Sequence, residues 1–279
     1  MKKLFSILSI LVCAVSLYGN RPHLHIATYN LRMNTPSDSI NAWPNRKEAV
    51  KSLVRFHEFD VFGTQEGFRD QLEDLSKMQE YHFAGCGRDD GHIAGEHSAI
   101  FYRHDRFSLL DKGDFWLSET PDIPSFGWDA NSHKRLCSWV KLYDRQNCVT
   151  FYVFNAHYDH RGQEARRESS KLILRKISEI ADQSPVFFMG DLNAGPENEA
   201  VVILNKVFAD AYNHSEEPPY GPIGTFNDFD MNRPLTDRID YIFVNGRVRV
   251  IKYGVISDSN HQRYPSDHLP VMIKAEFLP

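Results

Sequence analysis

What most constrains this chain is the way short apolar runs of strand length alternate with runs of helical period from residue 23 to residue 277, the strands ending or beginning on polar side chains. "HLHIATYN" (23–30) alternates and closes on Asn30, "FDVFGTQE" (59–66) on Glu66, "CVTFYVFNAH" (148–157) on His157, and "VFFMGD" (186–191) on Asp191. Between them, "WPNRKEAVKSLVRFH" sets Val50, Leu53, Val54 and His57 at helical spacing, with Pro44 suited to a first turn. Residues 163–181 carry Leu172, Ile173, Ile177 and Ile180 on one helical face, and shorter helices are expected near 69–79 and 197–207. Further strands are expected at "SAIFYR", "FSLLD", "DFWLS", "RLCSWVKLY", 239–244, 248–256 and 270–277, with "DRQN" as a hairpin turn before Cys148. Two β-rich runs, each interleaved with a few helices, predict an α/β (α+β) fold in which two mixed sheets pack face to face with helices outside. Periodicity does not fix the strand order.

The first residues read as a processing signal. Met1-Lys2-Lys3 is a short basic start, Leu4–Leu17 is too short to span a bilayer comfortably, and Ala14, Ser16 and Gly19 offer cleavage points. A signal peptide over 1–19 and one catalytic domain over 20–279 are therefore expected, with a secreted or periplasmic product and no stable membrane insertion. Cys13 would suit lipid attachment, but Val12 stands where a small residue is usual. The roughly 260 residues that remain suffice for one large domain with a substantial core, expected as a monomer. The formal charge is −5, and losing Lys2 and Lys3 makes it −7, which argues against a broad grip on polynucleotide duplexes. Cys86, Cys137 and Cys148 are odd in number and irregular in spacing, so neither a disulfide framework nor a cysteine zinc site is implied.

Asn30, Glu66, His157 with Asp159, and Asp191 with Asn193 stand at or just beyond carboxyl ends of strands. Asp240 ("RIDYIFV") and Asp267-His268 ("PSDHLPV") stand just before the next strand begins. In a sandwich of antiparallel strands, one end collects the carboxyl ends of some strands and the amino ends of their neighbours. That rim would gather amides, carboxylates and two histidines, a donor set suited to hard divalent cations such as Mg²⁺ or Mn²⁺. "NAHYDH" invites a dinuclear-zinc reading, but Asn155 occupies its first histidine position. Taken alone, Asp191 and Asn193 read more readily as turn formers before Gly195-Pro196 than as a site; the completeness of the set in register with strand ends reverses that. Gly190 allows close approach of backbone or substrate.

The series "ATYNLR", "GTQEG", "NAHYDH", "MGDLNAGP", "DRIDYIFV" and "YPSDHLPV" resembles the endonuclease/exonuclease/phosphatase superfamily, near its nocturnin-like branch, over about residues 23–277. The resemblance implies a deoxyribonuclease I-like four-layer sandwich and a metal-dependent phosphoesterase using Mg²⁺ (or Mn²⁺). Glu66 then matches the metal-binding carboxylate, with Asn30 beside it and Asp267 as a second acid. Asp191 matches the residue that orients or deprotonates the attacking water, and Asn193 the neighbour that steadies the phosphate. His157 matches the histidine bonded to a phosphoryl oxygen, Glu96 the glutamate paired with it, His268 the second catalytic histidine and Asp240 the carboxylate that holds it. Each carboxylate is expected to orient its imidazole and favour the cation.

For the substrate, "DHRGQEARRES" places Arg161, Arg166 and Arg167 at the start of a long helix, where the helix amino terminus and an arginine would hold a second anion. Arg46 and Asp159 are further candidate contacts, and Trp116, Trp128 and Phe226 candidate aromatic walls. The net acidity points to a phosphoester that is a small molecule or a single-stranded nucleic acid. A secreted nuclease on DNA or RNA is the alternative, ahead of a sphingomyelinase-like or inositol-phosphate enzyme or a catalytically dead binding module.

Overall fold

The structure, a computed structural model, describes residues 22–279; the expected leader at 1–19 and the boundary after it lie outside the described residues. From β1 (Leu24–Asn30) the chain passes through α1 (Trp43–Phe56) to β2 (Val61–Gln65), then α2 (Arg69–Leu75), β3 (Tyr81–Ala84) and β4 (Ile100–Arg103). A second set follows: β5 (Phe107–Trp116), β6 (Leu136–Asp144), β7 (Val149–His157), α3 (Gln163–Ala181), β8 (Val186–Asp191), α4 (Glu199–Asn205), β9 (Ala209–Asp210), α5 (Ala211–His214) and β10 (Asp240–Val244). β11 (Val248–Val255) and β12 (Val271–Phe277) return to the first sheet, whose order is β11-β12-β1-β2-β4-β3; the second is β5-β6-β7-β8-β10-β9.

Both sheets are mixed, and each has its parallel pair at the centre. β1 and β2 are joined through α1, and β7 and β8 through α3; the remaining pairings are antiparallel. The parallel strands are near-continuous apolar runs because both faces are covered. Ile26, Val61, Val153, Phe187, Met189 and Ile242 meet between the sheets. Trp43, Val50, Leu53 and Val54 of α1 cover Ala27, Tyr29 and Phe62 on one outer face, and Leu172, Ile173 and Ile177 of α3 cover Phe154 and Phe188 on the other. Four layers result, as expected. Each fully buried aliphatic or aromatic side chain contributes about 1.5–3 kcal/mol to this stack.

A polar tie crosses the sandwich. Asn155 donates from Nδ2 to the carbonyls of Thr64 and Ala99, both at 2.9 Å, and accepts from Gln65 Nε2 at 2.6 Å. A Cβ on Gly63 would lie 2.6 Å from this amide, so glycine leaves the room the tie needs. Asn155 thus joins the two sheets and is no remnant of a zinc motif.

Local expectations differ at a few places. "FSLLD" and "DFWLS" form one strand, β5, whose register shifts between Leu109 and Asp111, a bulge that breaks the alternation. α2 and α4 are shorter than expected, and β3, β9, α5 and a 3₁₀ turn at Pro36–Asn41 lack a periodic run long enough to announce them. His57 lies just past α1, where its ring meets Asp258 at 2.9 Å. Cys86, Cys137 and Cys148 are free thiols. Among the described residues no helix is long and apolar enough to cross a membrane.

Candidate active site

The topology explains the rim. β1, β2, β7 and β8 run parallel within their pairs, so Asn30, Glu66, His157 and Asp191 arrive at one end, while β10, antiparallel to β8, starts there with Asp240 opposite Asp191. A cleft of about 450 Å³ opens at this end, lined by Glu66, Glu96, His157, Asp191, Asn193, Phe226, Asp267 and His268 among others. Gly190 sits at φ 148°, and a Cβ there would fall 1.9 Å from the Ala156 carbonyl oxygen. The close approach is therefore to the β7 backbone, and it draws β7 and β8 together where His157 and Asp191 emerge.

Asp191 is the hub. Its Oδ1 accepts from the Asn193 amide at 2.8 Å and its Oδ2 from Asn30 Nδ2 at 3.0 Å. The same Asn30 amide donates to Glu66 Oε1 at 3.2 Å, while Asn30 Oδ1 accepts from the Arg32 amide at 2.9 Å. Asn30 thus bridges two carboxylates with its nitrogen and accepts from the backbone with its oxygen, fixing the two acids relative to each other. Burial, with the Asp240 charge, pushes the Asp191 carboxyl above the usual range, which strengthens it as a base.

His268 and His157 flank Asp191 Oδ2 at 3.8 Å and 3.6 Å. His268 Nδ1 lies 2.8 Å from Asp240 Oδ2, which also accepts from Thr225 Oγ1 at 2.6 Å. Burial alone would lower the His268 pKa, but the Asp240 charge and hydrogen bond, with the Asp191 charge, hold it well above 6.5. A protonated ring so held directs Nε2–H toward Asp191, and the Phe226 ring packs edge-on at 5.1 Å.

His157 departs from expectation. Glu96 Oε2 stops 3.6 Å from Nδ1 and instead takes Arg88 Nη1 at 2.5 Å, so no hydrogen bond orients the ring from that side. Asn193 Nδ2 donates to Nε2 at 3.1 Å and to the Tyr158 carbonyl at 3.0 Å. Burial, then the Arg135 charge, push His157 down to about 3. The ring is neutral, its proton assigned to Nδ1 by these partners. Asn193, at φ 47°, reaches both acceptors only because the turn after β8 enters the left-handed region.

The acids fit a hard cation. Burial pushes the Asp267 carboxyl up to about 6, and the neighbouring Glu66 charge adds to the rise. Arg32 Nε stands 3.9 Å from Asp267 Oδ2 and offsets part of this charge, and oxygen donors of this kind suit Mg²⁺ or Mn²⁺. Asp191, Asp240 and His268 also place ligand atoms within 4.8 Å of one another. The Asp240–His268 hydrogen bond makes that trio a hydrogen-bonded relay as well, and Glu66 and Asp267 are further acids lining the same cleft.

Other expected contacts lie elsewhere. Arg46 is buried, its guanidinium donating to the carbonyls of Leu31, Arg32, Asn41 and Pro265. Asp159 accepts from the amides of Arg161 and Gly162 and shapes the turn into α3; Arg166 donates to the Asp159 carbonyl beneath it. The α3 amino terminus is no anion seat, because Asp129 already accepts from the amides of Glu164 and Ala165. Trp128 packs on the second-sheet core, and the Trp116 indole donates to the Arg88 carbonyl. Phe226 does line the cleft, with Arg233 over its ring at 4.8 Å. The sequence reading missed Arg135, His133 and His160, which line the wall beyond His157. A signal existed: Arg135 immediately precedes β6, antiparallel to β7, the same position that singled out Asp240 and Asp267.

Comparison with known proteins adds the lineage. The profile of the Endonuclease/Exonuclease/phosphatase family matches residues 27–268. A structure of a protein of that family from Bacteroides thetaiotaomicron is 41% identical, with TM-score 0.89 over 93% of this chain and 100% of that one. A mannosyl-6-phosphatase from the same organism is 42% identical, with TM-score 0.87 over 91% of this chain and 100% of that one. The human nocturnin catalytic domain, at 18% identity, shares the fold with TM-score 0.72 over 93% of this chain and 95% of its own.

Proposed function

This chain belongs to the endonuclease/exonuclease/phosphatase family, and on that premise we propose that it is a metal-dependent phosphoesterase acting on a small phosphorylated substrate outside the cytoplasm. The observation that carries the reading is Asp191, fixed by Asn30 and the Asn193 amide and flanked within 4 Å by both histidines in one cleft. The leader read at residues 1–19 supports export.

Asp191 orients the attacking water and accepts its proton as the water oxygen bonds to phosphorus. His268, charged and held by Asp240, hydrogen-bonds from Nε2 to a phosphoryl oxygen as negative charge gathers there; the P–O ester bond breaks and the leaving group departs as an alcohol, taking its proton from solvent. Asn30 keeps Glu66 and Asp191 at a fixed separation. A divalent cation seated at Glu66 and Asp267 would supply charge neutralisation of the phosphoryl oxygens.

A sugar phosphate heads the substrate list because the 42%-identical relative is described as a mannosyl-6-phosphatase and the cleft has the volume for a monosaccharide. The test is a Mg²⁺/Mn²⁺-dependent panel on purified protein, with Asp191→Ala as blank. It sets mannose 6-phosphate, p-nitrophenyl phosphate and bis-p-nitrophenyl phosphate against single-stranded RNA, plasmid DNA, inositol phosphates and sphingomyelin. Turnover of the small esters is expected. Activity confined to polynucleotides would overturn the small-substrate reading, and no activity with no metal binding would overturn the enzyme reading.

A further inference from the structure

His160, the closing histidine of "NAHYDH", takes no part in activating water or in meeting charge at phosphorus. β6 and β7 pair antiparallel with Cys137 opposite Ala156, so the segment entering β6 and the segment leaving β7 come off the same end of the sheet. That register brings His133 and His160 together at the cleft, their ring centroids 5.8 Å apart and their planes inclined by 34°. Both rings are exposed at the mouth, whereas His157, Asp191 and His268 lie buried on the floor.

Arg135 sets the state of this pair. It is buried, faces Asp159 Oδ2 at 3.8 Å and Glu96 Oε2 at 4.0 Å, and donates from Nη2 to His160 Nδ1 at 3.1 Å. Nδ1 must carry a lone pair to accept that bond, so the His160 proton is assigned to Nε2, away from Arg135. Partial desolvation, then the Arg135 charge, hold His160 below 6.5; desolvation, then Arg88 and Arg135, do the same to His133. Among the described residues no carboxylate oxygen lies within 4 Å of a nitrogen of either ring, and His133 makes no hydrogen bond. Elsewhere on the rim, Arg32 is closed by a two-pronged bond to Asp38 at 2.9 and 3.0 Å, and Asp228 faces Arg233 at 3.8 Å. The histidine pair is therefore the uncharged polar part of the exposed rim. Neutral imidazoles offer N–H donors and a lone pair, a set that suits hydroxyl groups, which both give and take hydrogen bonds.

We propose that His133 and His160 grip neighbouring hydroxyl groups of a monosaccharide phosphate and make the site prefer such an ester over one whose organic part carries no hydroxyls. The inference rests on the phosphoesterase reading above and adds the residues that select its substrate. The buried acids and histidines on the floor meet the phosphoryl group. That group fills only part of a cleft of about 450 Å³, so the organic part of the ester is left to the rim. Hydrogen bonds span about 2.7–3.2 Å between heavy atoms. Rings 5.8 Å apart at their centres can therefore both meet one sugar, His160 giving a proton from Nε2 and His133 giving one and taking one. Arg135 fixes the His160 ring before the sugar arrives, which lowers the ordering cost of that bond.

The test measures kcat/KM on mannose 6-phosphate and on n-hexyl phosphate, a primary alkyl ester without hydroxyls. It compares wild type, His133→Ala, and the double variant of His133→Ala with His160→Ala. The readout is the ratio of the two values, sugar ester over alkyl ester, which a general loss of fold or chemistry does not move. The ratio is expected to fall about 3- to 10-fold in His133→Ala, the usual worth of one neutral hydrogen bond, and about 10- to 100-fold in the double variant. An unchanged ratio in the double variant would overturn the proposal. His133→Ala leaves the bond from Arg135 to His160 in place, so it decides on the same terms should the double variant fail to fold. Adenosine 5′-monophosphate brings adjacent hydroxyls on a ribose, and a selective loss on it but not on mannose 6-phosphate would overturn the monosaccharide assignment. If wild type hydrolyses neither ester, calorimetric Kd values for the same two esters take the place of kcat/KM. A selective loss of sugar-ester binding then supports the hydroxyl site while the hydrolase reading falls, and an unmoved ratio of Kd values refutes the site.

Discussion

The two histidine walls of the cleft share a motif and differ in state. On one, Asp240 sits 2.8 Å from His268, is itself held by Thr225, and keeps the imidazole charged. On the other, Glu96 stands 3.6 Å from His157, bonds Arg88 instead, and leaves a ring pushed down to about 3 by burial and Arg135. A carboxylate near a histidine in sequence or space does not by itself make an imidazolium. What decides is whether that carboxylate is free of other cations and whether a third charge stands closer to the ring. His268 has an uncontested acid; His157 shares its acid with two arginines.

The sharpest way to break this contrast is to remove what each wall serves. Asp191→Ala and His268→Ala are each expected to lower kcat by at least about two orders of magnitude, the usual size of a lost base or charge-stabilising donor. Near-wild-type turnover by folded His268→Ala, measured with saturating metal, would sink the assignment. Asp240→Asn should cost somewhat less, about 10- to 100-fold, and its signature is a pH profile. His268 is raised in wild type, so its proton persists through neutral pH and its loss should set the alkaline limb of activity. Without Asp240 that alkaline limb should move down toward 6.5. An unmoved limb would mean another group titrates there. Glu96→Gln should leave the limb in place and cost less than about tenfold, because Glu96 makes no hydrogen bond to His157. A loss equal to that of Asp240→Asn would erase the distinction between the walls.

Much of this architecture was written in the chain, and the reason is geometric. Strands covered on both faces must be apolar along their length, so polar residues at their ends stand out, and Asn30, Glu66, His157, Asp191, Asp240 and Asp267 could be found that way. Whether an arginine near such a rim faces the cleft depends on pairings that periodicity does not encode. Arg46 and Arg166 looked available and are tied to backbone carbonyls; Arg135 looked like the first residue of a strand and lines the site. The charge of His157 was illegible for the same reason. It depends on Arg88 and Arg135, which are 69 and 22 residues away in sequence and meet it only through the fold. The capping of α3 by Asp129 likewise hid from any reading of the helix alone.

The smallest expected effect tests the neutral wall directly, through stability instead of rate. The folded pKa of His157 lies near 3, below the ordinary 6.5 of an unfolded chain. Between those values the unfolded chain holds a proton that the folded one refuses, so His157 makes stability fall as pH falls through the window, by at most about 1.4 kcal/mol per pH unit. Asp267, raised from 3.8 to about 6, acts with the opposite sign between those two values, because there the folded chain holds the extra proton. Wild-type stability alone would therefore blur the two, and the informative quantity is a difference. In chelated protein, the stability of His157→Gln relative to wild type should rise steadily from pH 6.5 toward pH 4, read by urea titration at each pH. Asp267 is present in both proteins and cancels to the extent that its pKa is unchanged. A flat difference across that window would mean that His157 is protonated in the fold and that the two walls are alike after all.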